Sequence, residues 1–147
     1  LDAAVLRDHA RRIGPHLGKA VELFYSRLFE RHPGVRAMFP EDMTRQRGHL
    51  LASVALVAKN AHQLDTLEEP LMQLGARHGS LGVVPDHYPI VRDGLLEALR
   101  DAAPDEWSPD AERAWTGALN RVAELMLQGA ARSATDAGSR LSARRPA

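Results

Sequence analysis

Apolar residues recur every three or four positions along most of the chain, as in Leu17, Val21, Phe24 and Leu28, and again in Leu50, Leu51, Val54, Val57 and Ala58. That spacing lays a stripe along one side of a helix. No segment alternates with a period of two for long enough to read as a strand, so the pattern predicts an all-α domain. Capping and breaking residues then divide it. Asp2 can cap a first helix ending near Gly14, and Pro15, tolerated in a first turn, opens a second helix running to about His32. His32-Pro33-Gly34 breaks it. A short turn through Met38 and Phe39 leads to Pro40 and Asp42, which introduce a long helix to about Asn60. Residues 66–78 form the next, with Pro70 in its first turn, and Gly79 and Gly82 end it. Pro85 opens a helix to about Ala103 with Pro89 near its start, and Ser108-Pro109 caps a last helix ending near Arg132. Six helices with short connections imply packing of ridges into grooves. From Ser133 the chain reads SATDAGSRLSARRPA, Arg-rich and without an apolar stripe, which reads as a disordered basic tail. The expected organisation is one domain over 1–132 and a tail over 133–147.

Composition narrows the function classes. A chain of 147 residues, 44% hydrophobic, suits one domain with a substantial core. Nineteen basic and nineteen acidic residues cancel, so no overall field favours a phosphate backbone or anionic lipid, and no nucleic-acid partner is expected. The absence of cysteine excludes disulfides, thiolate metal sites, thiol nucleophiles and covalent C-x-x-C-H haem attachment. Any metal chemistry falls to histidine or carboxylate. No apolar run approaches the roughly 18 to 20 residues of a membrane span, and the start of the chain lacks a signal-peptide pattern, so the expectation is a cytoplasmic protein with no membrane partner.

Several enzyme templates are absent: there is no H-E-x-x-H, no G-x-x-x-x-G-K and no G-x-G-x-x-G after a strand. The run HGSLG with Asp86 and His87 nearby supplies the residue types of a hydrolase triad. A nucleophile elbow, however, needs a strand entering a tight turn with glycines two residues either side of the serine, and Ser80 has Gly79 and Gly82 instead.

What remains is a joint pattern. The chain has three Phe, two Tyr and two Trp, and Phe24, Tyr25, Phe29 and Phe39 fall close together. Alone they would read as a core cluster. Together with FYSRLFERHPGVRAMF, QRGHLL, LGARHGSLG and PDHYPIV they resemble the bacterial haemoglobin family, meaning single-domain bacterial globins and the globin domains of flavohaemoglobins. The resemblance covers about residues 1–130 and is most specific from Leu74 to Val91. It implies a globin fold around a haem pocket and haem b (iron protoporphyrin IX) as cofactor. It further implies His78 as proximal iron ligand, Phe39 as the aromatic packed on the porphyrin, Tyr25 and Gln46 as a distal polar pair, and Leu50 as their apolar neighbour.

The residue types suit that chemistry. A neutral imidazole ligates iron and leaves a sixth position for a diatomic gas. A phenol and an amide can each donate a hydrogen bond to bound O2, worth about 1 to 1.5 kcal/mol apiece. Leu50, four residues after Gln46, shares its helix face. Tyr88 is expected to hydrogen-bond the non-ligating imidazole nitrogen and raise its basicity. Arg47 and Arg77 neighbour pocket residues and are candidates to pair with haem propionates. His49, next to Leu50, is a rival sixth ligand that diverges in direction from Gln46. The remaining histidines, His9, His16, His32, His62 and His87, show no partner pattern and are expected to be exposed.

The implied function is reversible binding of O2, NO and CO by a monomer or homodimer, with NO dioxygenation to nitrate when a separate reductase supplies electrons. Two departures from the family qualify it: the sequence is expected to end in a tail where flavohaemoglobins carry flavin and nicotinamide domains, and the alignment places Ala130 where they carry a glutamate beside the proximal histidine. The turn from Phe39 to Gln46 is also short. The alternatives are a haem-based gas sensor signalling to a partner through its tail, and a cofactor-free helical interaction module.

Overall fold

A computed structural model describes the backbone of residues 2–144 and the surroundings of side chains through residue 136. Six α-helices account for most of it: α1 (Ala3–Ile13), α2 (Leu17–Arg31), α3 (Thr44–Lys59), α4 (Glu68–Ser80), α5 (His87–Ala102) and α6 (Pro109–Arg144). Short 3-10 segments at Gly14–His16, Pro33–Met38, Ala61–Leu67 and Pro104–Glu106 join them. No strand occurs among the described residues.

Local chemistry sets most of the boundaries. Asp2 Oδ1 accepts from the Val5 amide at 3.1 Å, and Ser108 Oγ accepts from the Ala111 amide at 3.1 Å, which starts α1 and α6 as expected. Pro70 and Pro89 are each the third residue of their helix, where no intrahelical N–H is lost. After α4 the chain turns through Gly82, whose φ of 96° is the one positive value among the described residues. Only glycine adopts it without strain. The turn closes with the amides of Leu81 and Val83 both bonded to the His78 carbonyl.

The last helix differs from expectation. It continues to Arg144 rather than stopping near Arg132, so 133–144, read as an unstructured tail, is helical in backbone; residues 145–147 lie outside the described part. Residues 131–136 are all exposed, so the missing apolar stripe reported a lack of burial and not a lack of helix. Once α6 is nucleated by its packed half, each added residue gains a hydrogen bond for one residue ordered, and no proline intervenes before Pro146.

The core gathers Leu6, Ile13, Leu17, Leu99 and Trp115 with the inner faces of α1, α3 and α6. His9 is fully buried among them, which corrects the expectation that it is exposed. It lies three residues after Leu6 and four before Ile13, on the stripe itself. Its Nδ1 accepts from the Trp115 indole N–H at 2.8 Å, and its Nε2–H donates to the Glu106 carbonyl at 3.1 Å.

The helices pack unevenly. α2 lies along α5, α3 rests on α1 and α2, and α4 leans almost wholly on α6. That last crossing is very close: a Cβ built on Gly75 would fall 1.9 Å from the Met126 carbonyl oxygen, and one on Gly129 would fall 1.9 Å from that of Met72. Any larger residue at either position would drive α4 off α6. Among the described residues α3 and α4 are not closely packed against each other. No described helix is long and apolar enough to cross a membrane.

Candidate functional site

An aromatic wall is built by α2, α3 and the turn between them. Tyr25 is buried on α2, and its ring stands edge-on to Phe24 at 5.0 Å and to Phe39 at 5.6 Å. Phe29 closes the group at 5.8 Å from Tyr25 and 5.4 Å from Phe39. Such edge-to-face pairs add about 0.5 to 1.5 kcal/mol each beyond their buried area. Leu50 packs against the same cluster and remains partly exposed, as does Phe39.

Gln46 completes this wall. Its Nε2–H donates to the Tyr25 hydroxyl oxygen at 3.1 Å. The direction matters, because an oxygen that accepts from the amide keeps its own hydrogen free to donate elsewhere. Burial raises the Tyr25 pKa above its ordinary value, opposed in part by the Gln46 hydrogen bond, so the phenol keeps its proton at neutral pH. Tyr25 and Gln46, which the resemblance pairs, are thus hydrogen-bonded to each other despite the short turn. His49, by contrast, is exposed.

His78 sits in the last turn of α4, half-buried. Its Nδ1 lies 2.8 Å from the Leu74 carbonyl oxygen, an acceptor that can only take a proton. The ring is thereby held as the Nδ1–H tautomer, and Nε2 carries the lone pair. This corrects the partner expected for the imidazole: Leu74, one turn back on the same helix, takes the place assigned to Tyr88. Tyr88 instead packs its ring against Leu71, Leu125 and Met126, and burial raises its pKa. No hydrogen bond from its hydroxyl is found among the described residues. Ala130 lies behind this end of α4, its Cβ 3.5 Å from where a Gly79 Cβ would stand.

The turn after α2 approaches the turn after α4: Met38 reaches to within 3.9 Å of a Cβ built on Gly82, and Met38, Leu81 and Val84 are all exposed. Arg47 is half-buried near Asp42 and Arg77 is exposed, and neither forms an ion pair among the described residues. Asp42 itself is held below its ordinary pKa chiefly by accepting from the Thr44 amide.

The donor set is a fit test for haem. Among the described residues no three metal-ligating side chains converge, so a metal held here needs most of its ligands from elsewhere. A porphyrin brings four in a plane and leaves one axial place for a single imidazole. One imidazole with a free lone pair, exposed apolar side chains and a buried hydroxyl with its proton unspent match that requirement.

Comparison with known proteins agrees. A globin family model matches residues 22–126, a range holding Tyr25, Phe39, Gln46, Leu50, His78 and Tyr88. The chain is 35% identical over 107 residues to a flavohemoprotein of Bacillus subtilis, covering 71% of this chain and 27% of that protein. Its match to an anaerobic nitrite reductase of Physcomitrium patens is 32% identical over 137 residues and covers 82% and 71% of the two chains. A bacterial globin of Campylobacter jejuni superposes with a TM-score of 0.78 at 22% identity, over 88% of this chain and 94% of that one. The chain thus spans little more than a quarter of the flavohemoproteins it matches. It belongs to the globin family, of the kind found in bacterial globins and in the globin domains of flavohemoproteins.

Proposed function

We propose that this chain is a haem b globin that binds O2, NO and CO and, given electrons from a separate reductase, converts NO to nitrate. The observation that carries the proposal is the hydrogen bond from His78 Nδ1–H to Leu74, which leaves Nε2 as a single unspent imidazole lone pair. Haem, when bound, would be held by that nitrogen and would supply an iron able to bind a diatomic gas.

The chain's own residues divide the remaining work. The Leu74 carbonyl orients the ring and, as a neutral acceptor, raises imidazole basicity less than a carboxylate would. Ala130 adds no charge behind it, which favours binding of the gas over cleavage of its O–O bond. Phe39 and Leu50 exclude water from the ligand side, and Tyr25 offers its free O–H there. Gln46 serves by holding that hydroxyl's oxygen. Arg47 and Arg77, which form no ion pair among the described residues, are suited to the propionates. Nitrate formation balances as NO plus O2 plus one electron, so a donor is required; the flavin in the name of the flavohemoprotein relatives supports a flavin reductase in that part.

Reconstitution with hemin tests the reading. The chain should develop a Soret band that His78→Ala abolishes or shifts, and Tyr25→Phe should hasten O2 release roughly tenfold, the loss of one donor worth about 1.4 kcal/mol. Absence of a His78-dependent Soret band would overturn haem ligation. An unchanged release rate would remove Tyr25 from the ligand pocket.

A further inference from the structure

The backbone from Phe39 to Met43 has to deliver Gln46 to Tyr25 across a short turn, and one side chain grips most of it. Arg36 Nη1 donates to the carbonyls of Phe39 at 3.2 Å and Pro40 at 3.0 Å, and its Nη2 donates to that of Glu41 at 3.0 Å. Three successive carbonyls turned toward one point repel each other unless a cation with several donors sits among them, and the planar guanidinium supplies that geometry. The same group lies 4.9 Å from the centroid of the Phe29 ring. Phe29 in turn contacts both Tyr25 and Phe39.

Beyond the grip, Asp42 Oδ1 accepts from the Thr44 amide at 3.0 Å and starts α3, while Met43 is buried against the aromatic cluster. Gln46 is the third residue of that helix. Arg36 therefore joins the ring wall around Tyr25 to the turn that carries Gln46. It forms no ion pair among the described residues, so its donors serve geometry and not charge pairing.

We propose that Arg36 is a positioning residue for the distal pair: its guanidinium shapes the turn from Phe39 to Glu41 and thereby sets the hydrogen bond from Gln46 to Tyr25. The effect on gas release rests on the function proposed above, whereas the effect on the hydrogen bond does not.

Two arms test it on the full chain. In NMR spectra, a nuclear Overhauser contact between the Gln46 side-chain amide and the Tyr25 ring should be present in the parent, weaker in Arg36→Lys and lost in Arg36→Met, with the Phe24 to Tyr25 ring contact retained as a control of folding. With haem reconstituted, Arg36→Met should hasten O2 release about fivefold, the scale of one neutral hydrogen bond, and should add nothing to Gln46→Leu. A Gln46 to Tyr25 contact that persists in folded Arg36→Met, or additive effects in that cycle, overturns the proposal. If Arg36→Met also loses the Phe24 contact, Arg36→Lys decides: an undiminished Gln46 signal refutes, a diminished one supports. If Tyr25→Phe and Gln46→Leu both leave release unchanged, the gas-binding reading fails while the NMR arm still decides the role of Arg36.

Discussion

Acid should weaken this fold through His9 before it reaches the carboxylates. The ring is fully buried, and its two bonds demand one protonation state: Nδ1 must accept from the Trp115 N–H while Nε2–H donates to the Glu106 carbonyl. Protonating Nδ1 sets two N–H groups against each other and strands the indole donor. A buried donor without a partner costs about 1 to 3 kcal/mol. Burial, the leading cause, holds the folded-state pKa below the ordinary value of 6.5. The unfolded chain therefore binds the proton first. Stability is complete above the unfolded value and declines as pH falls through the window between 6.5 and the folded value. The slope cannot exceed about 1.4 kcal/mol per pH unit for one proton, so the loss by about pH 5 is at most about 2 kcal/mol. Urea denaturation of the haem-free chain between about pH 8 and about pH 5, compared with His9→Asn, isolates this group. Asparagine can still accept from Trp115 but does not titrate, so the variant should be less stable at high pH and the two curves should converge toward acid. A gap between them that is constant with pH, or one that widens on acidification, would refute the account.

The α4–α6 crossing predicts opposite outcomes for the same substitution. Gly75→Ala and Gly129→Ala each push a methyl group into the facing backbone and should cost about 3 kcal/mol or more, whereas Gly48→Ala, with open space around an exposed helical position, should stabilise by about 0.5 to 1 kcal/mol; thermal melts distinguish them. Glu97 takes paired bonds from Arg31, both at 2.8 Å, and one from Arg27 at 3.0 Å, fastening α5 to α2. The Arg31 hydrogen bond holds its pKa below the ordinary value of 4.5, so this contribution is present above that pH and is lost as pH falls through the folded value. Glu97→Gln should cost about 1 kcal/mol at neutral pH, less in high salt, since the arginines are partly solvated; a salt-independent loss would point to packing instead. Tyr88→Phe should leave the iron–histidine stretching band of the reconstituted protein in place, because Leu74 is the acceptor for the imidazole N–H. A clear shift of that band would return Tyr88 to the proximal hydrogen-bond network.

By itself the sequence determined the features that local chemistry controls. Asp2 and Ser108 cap their helices, prolines stand where the first turn tolerates them, and Gly82 takes the one positive φ of the described chain, all within a few residues of the signal that announces them. The globin resemblance named candidate site residues because they lie in short motifs, and the structure joins two of them, Gln46 and Tyr25, by a hydrogen bond. Even the Leu74 acceptor was legible, since a helical histidine always has a carbonyl four residues back. Tertiary structure alone decided the rest. His9 and Trp115 are 106 positions apart, so neither predicts the other, and His9 became a core residue only when α6 brought an indole donor to it. Gly75 and Gly129 are each the space that the facing helix backbone fills, which only the crossing creates. Arg36 holds three carbonyls that only the folded turn gathers around it. Capping and periodicity act over a turn of helix, whereas packing selects partners by proximity in space, and only the folded chain defines that proximity.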